Sequence, residues 1–171
     1  MNRQLTLAAY QEKLKNIKLL LLDVDGILTD AKIFYVHGQG WTRSYCIYDG
    51  YGIRLLQKLG VPVGVISGGQ SDELKERLKV LGIQHFVIGS EDKLKSLEEI
   101  VAKTNIPYQN ICFMGDELFD IPALEKVGLA ITVPNAMLEV QEMVHWITSK
   151  SGGDGAVREV IDGIRKAQNL K

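Results

Sequence analysis

The sequence predicts an α/β protein built on a central, mostly parallel sheet, and three features carry that expectation. Short apolar runs at residues 19–22, 62–66 and 110–114 are too continuous for half-exposed strands and match strands covered on both faces. Between them lie segments with apolar residues three and four apart, such as Leu74, Leu78 and Leu81, which match helices laid on a sheet. Carboxylates stand directly after two of the buried runs, at the edge where open α/β sheets place their ligands.

At 171 residues the chain suits one domain, spanning 1–171, and is too short for a core plus a large second domain. A hydrophobic share of 46% and a charged share of 24% are ordinary for a soluble globular protein. The net charge of -1 argues against a nucleic-acid surface, because binding a phosphate backbone calls for a basic excess. Cys46 and Cys112 lack metal-ligand spacing and a secretion signal, so both are expected as reduced thiols in a cytoplasmic protein. No apolar stretch approaches a membrane span, and there is no repeat or low-complexity segment.

Taken in order, residues 5–15 place Leu5, Ala8, Ala9 and Leu14 among polar residues and predict a short packing helix. The strand at 19–22 then runs into Asp23-Val24-Asp25-Gly26-Ile27-Leu28-Thr29-Asp30. Strand alternation puts Asp23 and Asp25 on one side, where they repel unless a cation or a shared proton lies between them. A lone Asp-Gly is commonly a solvated turn, but two acids in this string after four leucines need a further reason. Two β-prone runs, 32–36 and 43–47, flank His37-Gly38-Gln39-Gly40 and predict a hairpin flap over about 32–48. Trp41 is a packing or subunit-contact residue there, and His37 is a solvated turn residue.

Asp49-Gly50-Tyr51-Gly52 opens a helix with Ile53, Leu56 and Leu59 on its apolar side, and Asp49 can serve as its N-cap. The strand at 62–66 closes on Ser67-Gly68-Gly69-Gln70-Ser71-Asp72, a small-residue loop ahead of a helix that makes a weak anion-cradle signal. Arg77 stands beside the apolar stripe of that helix. A strand at 84–88 precedes Ser90-Glu91-Asp92-Lys93, which begins a helix with Leu94, Leu97, Ile100 and Val101 inward. Lys93 sits in the first turn, against the helix dipole, and a residue that breaks a local rule invites a functional reason. The strand at 110–114 runs into Gly115-Asp116-Glu117-Leu118-Phe119-Asp120, and 128–133 is a last core strand. Residues 151–155 read as a flexible glycine-rich segment before a helix carrying Val157, Val160, Ile161 and Ile164 on one face.

These strings resemble the four motifs of the haloacid dehalogenase superfamily of phosphohydrolases, and the resemblance covers nearly the whole chain. It is strongest to the small, capless phosphatases of the 3-deoxy-D-manno-octulosonate 8-phosphate (KDO 8-phosphate) type, whose tail the Gly152-Gly153-Asp154-Gly155-Ala156-Val157-Arg158-Glu159 string is very like. The resemblance implies a Rossmann-like three-layer sandwich with a small β-hairpin flap and no large cap domain. By the same resemblance Asp23 is the nucleophile, Asp25 the acid and base, Ser67 and Lys93 hold the phosphate, and Asp120 fixes the lysine or a metal-bound water. Mg²⁺ is then held by Asp23, Asp116 and the main-chain carbonyl of Asp25, an oxygen set suited to a hard cation. Tyr48, Asp49, Gly50, Arg54, Gly68, Gly69, Arg77 and Arg158 become substrate candidates, with Asp25 and Lys93 shared between substrate and chemistry.

The resemblance also implies a homotetramer in which the tail, about 150–171, approaches a neighbouring subunit's site, and a small sugar acid phosphate as substrate. Three positions depart from the family pattern: a basic residue is usual where Tyr48 stands, an arginine where Gly69 stands and, a mild change, a second Asp where Glu117 stands. The first two bear on which sugar acid is used. A phosphatase for a nine-carbon sugar acid phosphate, or for another sugar phosphate, keeps all four motifs. A catalytically silent oligomerisation module of the same fold would be expected to lose Asp23, Asp25, Lys93 or Asp116, and none is lost. A receiver-type phosphate sensor lacks the second carboxylate two residues after the first.

Overall fold

The computed structural model describes residues 3–38 and 40–171. In chain order the elements are α1 (Leu7–Leu14), β1 (Leu19–Leu22), β2 (Phe34–Val36), β3 (Gly40–Thr42), α2 (Ile47–Lys58), β4 (Val63–Ser67), α3 (Asp72–Leu81) and β5 (His85–Ile88). Then come α4 (Lys93–Thr104), β6 (Ile111–Met114), α5 (Ile121–Lys126), β7 (Leu129–Thr132), α6 (Leu138–Met143), β8 (Trp146–Ile147) and α7 (Ala156–Ala167).

Six strands pair in parallel in the order β5-β4-β1-β6-β7-β8. The chain leaves β1 toward β4 and β5 on one side, then crosses to β6 and β7 on the other. β1 and β6 therefore flank the point where the strand order reverses, the place where such sheets open a crevice. Leu22 is level with both Val65 and Met114, so the loops after β1, β4 and β6 emerge at one edge.

Strand alternation divides the four leucines of β1 between two layers. Leu20 and Leu22 join Ile53, Leu56, Leu74, Leu78, Val160, Ile161 and Ile164 on the side of α1, α2, α3 and α7. Leu19 and Leu21 join Leu97, Ile100, Phe113, Ala123, Leu124 and Val140 on the side of α4, α5 and α6. Truncating one of these leucines to Ala would cost about 2–5 kcal/mol, because a close-packed interior closes only partly over the hole. α3 shows how local chemistry fixes an element: the Ser71 hydroxyl accepts from the Leu74 N–H at 3.1 Å, and Gly82 ends the helix in the left-handed region at φ 70°.

The structure shifts several boundaries. The return strand of the hairpin is Gly40–Thr42, not 43–47, with Tyr35 opposite Trp41; Gln39, in the expected turn, lies outside the described residues. Ile47 already begins α2, because its N-cap is Cys46 and Asp49 falls inside the first turn. α6 and β8 are short elements whose apolar content gave no periodic signal. The tail is not a flexible segment either: Gly153 N–H donates to Ile27 O at 3.1 Å, and a Cβ on Gly152 would overlap the Gly26 carbonyl. Glycines 152 and 153 let the chain lie directly on the loop after β1.

Candidate active site

Asp23 is the first residue beyond β1, and its N–H donates to Met114 O at 2.9 Å, tying the end of β1 to the end of β6. Asp23 and Asp25 both lie past the strand, so alternation does not govern them and separate cations serve them. Asp23 is buried and accepts from Lys93 Nζ, whose other neighbours are Ile66 O at 3.0 Å and Asp120 Oδ1 at 3.0 Å. Asp25 is 41% exposed in its side chain and holds the Arg43 guanidinium at 2.6 Å from Oδ1 to Nε.

The loop between them is locked by short contacts. Thr29 Oγ1 accepts from Gly26 N–H and donates to Val24 O, both at 3.3 Å. Gly26 has φ +97°, and a Cβ there would lie 1.9 Å from Asp116 Oδ2. Only glycine lets this loop close on the β6 carboxylate.

Asp116 comes one residue past Gly115, whose carbonyl accepts from Thr132 Oγ1 at 2.6 Å. Asp120 turns back on the same loop, with Oδ2 accepting from the N–H groups of Asp116 and Glu117 at 3.0 and 3.1 Å. Asp23, Asp116 and Asp120 can each offer an oxygen within 4.8 Å of the others, and all three are buried. Like charges at that separation repel strongly. Burial and the neighbouring Asp120 push the Asp23 carboxyl up to about 7, although Lys93 opposes the shift. Burial, then Asp23, Asp120 and Glu117, push Asp116 up to about 8. Burial alone would lower the Lys93 ammonium, yet Asp23 and Asp120 hold it above its ordinary value.

One lysine cannot balance three buried acids. Asp116 Oδ1 is buried with no hydrogen-bond partner among the described residues, which is costly unless a cation takes the place of water. An all-oxygen set with an orphaned carboxylate oxygen fits a hard divalent ion and gives no thiolate or imidazole for a softer one.

The remaining expected residues fall in several places. Ser67 ends β4 fully buried, with its hydroxyl accepting from the Gly69 N–H at 3.1 Å, and the space beside Gly69 is bordered by Ser67 Oγ and Asp25 Oδ2. Arg77 stacks on the Tyr45 ring at 5.0 Å, and its Nε has no hydrogen-bond partner among the described residues. Gly50 packs against Arg77, where a Cβ would meet Nη2 at 2.6 Å. Asp49 Oδ1 accepts from the Arg158 N–H at 2.7 Å, so this buried acid staples α2 to the start of α7 rather than capping α2. Arg158 pairs with Asp162 at 3.0 Å and lies over the Tyr51 ring of its own chain. Arg54 lines a different cleft, of about 380 Å³, with Tyr51, Leu55 and Lys58. Tyr48 is 70% exposed. Sequence reasoning missed Arg43, because the run 43–47 has the pattern of a strand, where an arginine draws no attention.

A buried carboxylate at the switch point, backed by a lysine, an acidic metal pocket and a second carboxylate two residues on, defines a phosphoryl-transfer hydrolase, and the enzyme class is that of the phosphatases. The chain belongs to the haloacid dehalogenase-like hydrolases: the profile of that family matches residues 83–161, and its relatives extend the match over most of the chain. It is 36% identical to the 3-deoxy-D-manno-octulosonate 8-phosphate phosphatase KdsC of Escherichia coli K12 over 156 residues, covering 91% of this chain and 83% of that one. The corresponding phosphatase of Moraxella catarrhalis, solved with magnesium ion, phosphate ion and KDO, superimposes with a TM-score of 0.92 at 38% identity, covering 96% of this chain and 94% of that one. The cobalt-bound enzyme of Haemophilus influenzae gives 0.88 at 34%, covering 92% of each chain.

Proposed function

We propose that this protein is a Mg²⁺-dependent phosphomonoesterase that works as one haloacid dehalogenase-type unit over residues 1–171 and releases phosphate from KDO 8-phosphate, a step in lipopolysaccharide precursor synthesis, in the cytoplasm. The observation that carries this reading is the buried Asp23, Asp116 and Asp120 group with its orphaned oxygen, set beside Lys93 and Asp25. The named activity of relatives more than a third identical supports the substrate.

Asp23, Asp116 and the Asp25 carbonyl would hold the ion, which supplies charge neutralisation and Lewis acidity when bound. Asp23 attacks the phosphorus in line and forms an aspartyl phosphate, while Asp25 gives its proton to the leaving alkoxide. Asp25 then takes a proton from water as that water attacks the same phosphorus, which frees Asp23. The Ser67 hydroxyl and the Lys93 ammonium hold phosphoryl oxygens, and Asp120 keeps Lys93 and the loop amides in place.

Assembly through the hairpin into a homotetramer is part of the proposal. Ile33, Phe34, Tyr35, Trp41, Ile47 and Tyr48 are all exposed along the hairpin and the start of α2, apolar side chains that a subunit contact would cover. The tail near a neighbouring site belongs to the same proposal, with Arg158 at its start. No helix among the described residues is long and apolar enough to cross a membrane.

The deciding experiment is a phosphate-release screen with Mg²⁺ over eight- and nine-carbon sugar acid phosphates and simple hexose phosphates. Clear preference for KDO 8-phosphate is expected. Preference for a nine-carbon acid would move the assignment to the related phosphatase, and no turnover of any ester would leave the silent oligomerisation module.

A further inference from the structure

The short cradle after β4 carries no cation between Ser67 and Ser71, yet a guanidinium lies against it. It belongs to Arg43, the residue after β3, whose side chain is only 11% exposed. Arg43 Nε and Nη2 donate to the two oxygens of Asp25 at 2.6 and 3.1 Å, and Nη1 donates to Ser71 Oγ at 3.2 Å and Glu73 Oε2 at 3.0 Å. A guanidinium has five N–H donors in one plane, so these contacts leave one, on Nη2.

Nη2 is also the atom that a side chain at position 69 would strike: a Cβ on Gly69 would sit 2.8 Å from it, 3.4 Å from Asp25 Oδ2 and 3.5 Å from Ser67 Oγ. The missing side chain of Gly69 is thus a gap bounded by a charged donor, a hydroxyl and the carboxylate assigned to the leaving oxygen. An anionic oxygen fits such a gap, and in a phosphatase the group that brings one is the phosphate.

We propose that Arg43 is a substrate-contacting residue that donates from Nη2 to an oxygen of the transferring phosphate, and that position 69 is glycine to leave room for that oxygen and for the guanidinium. Arginine suits the task because its rigid fork holds Asp25 and still keeps a donor, which a lysine ammonium does with less directional control. The proposal holds for any phosphomonoester, so it does not depend on which sugar acid is used.

The test uses the full chain loaded with Mg²⁺ and inorganic phosphate as probe, read by calorimetry and as product inhibition, beside KM and kcat for p-nitrophenyl phosphate. Arg43→Met should weaken phosphate binding about ten- to a hundredfold, the loss expected for a charge-assisted hydrogen bond. Arg43→Lys should recover part of it. Gly69→Ala should weaken phosphate as well while keeping the fold by circular dichroism, because Gly69 is not among the positive-φ residues and the atom its Cβ would meet is the far end of an arginine side chain. If Arg43→Met lowers kcat while phosphate binding stays within about twofold, Arg43 serves only to hold Asp25 and the proposal is overturned. Parent-like phosphate binding by Gly69→Ala, or a parent that binds none, overturns it too. Should Arg43→Met fail to fold, the Gly69→Ala result decides.

Discussion

Two carboxylates two residues apart, Asp23 and Asp25, live in different surroundings. Asp23 faces the sheet edge, sealed among Lys93, Asp116 and Asp120, while Asp25 faces the hairpin side and is held by an arginine from a surface loop. The first is fixed by the most interior elements of the fold, the ends of β1 and β6 and the start of α4. The second depends on a two-stranded ribbon whose aromatic residues are largely exposed, with the Tyr35 and Trp41 rings packed edge to face at 5.5 Å. Under the proposed mechanism a rigid site suits Asp23, whose attack as nucleophile would need one geometry, and a partner on a peripheral ribbon suits Asp25, which would face first a leaving group and then a water.

The sharpest way to break this contrast is Asp23→Asn. It should remove at least about a thousandfold of the Mg²⁺-dependent phosphate release and leave the fold intact, since the amide keeps the shape of the carboxylate. Circular dichroism and a release assay check both halves. Surviving activity would give the nucleophile's role to another residue.

Lys93→Met comes next and should show in stability. It leaves three buried acids without their cation, so metal-free protein should lose about 3–5 kcal/mol in urea denaturation at neutral pH. An equal loss for Arg43→Met would erase the distinction between the sealed and the open carboxylate.

A third effect is pH-dependent. Asp23 and Asp116 sit at about 7 and about 8, above the ordinary value of 3.8, so the folded metal-free state keeps protons that the unfolded chain has released. Stability then falls as pH rises through those values. Between about pH 6.5 and 8.5 the melting temperature of chelator-treated protein should drop by a few degrees, and Mg²⁺ should restore more of it at the alkaline end. His145, pushed down to about 4 from 6.5 by burial and then by Arg3 and Lys13, acts only on the acid side of that range. A chelator-treated protein whose midpoint is flat or rises with pH would contradict a buried acidic metal pocket.

The smallest effect belongs to the hairpin tip. Trp41→Ala should change monomer stability by less than about 0.5 kcal/mol, because the residue is 63% exposed, but it should shift the oligomer distribution in analytical ultracentrifugation. An unchanged distribution would take the ribbon out of assembly. Deleting everything after Lys150 does not test the tail's approach to a neighbour, because α7 buries Val157, Val160, Ile161 and Ile164 in its own core and the chain would lose its fold.

Much of this was legible in residue order. Four leucines ending in Asp23, a lysine breaking the dipole rule at the start of α4, and acids after the 110–114 run each pointed to the site, because charge at the end of a buried strand is costly unless a bound group or a counter-ion uses it. Local pattern failed where an element's partner is distant in sequence. The dipole-friendly position of Asp49 suggested a cap for its own helix, but its acceptor is spent on α7 more than a hundred residues away. The glycines of the tail looked flexible until they lay on the Gly26 loop.

By itself, then, the order of residues determined the sheet, its two apolar layers and the identity of the carboxylates and lysine at its edge, since periodicity and local rule-breaking are properties of neighbours in the chain. Tertiary structure alone decided how closely Asp23, Asp116 and Asp120 approach one another, which cation serves Asp25, and that Arg43 reaches the space over Gly69. Those pairings depend on distances across the crossover at β1 and β6, and no spacing along the chain encodes them.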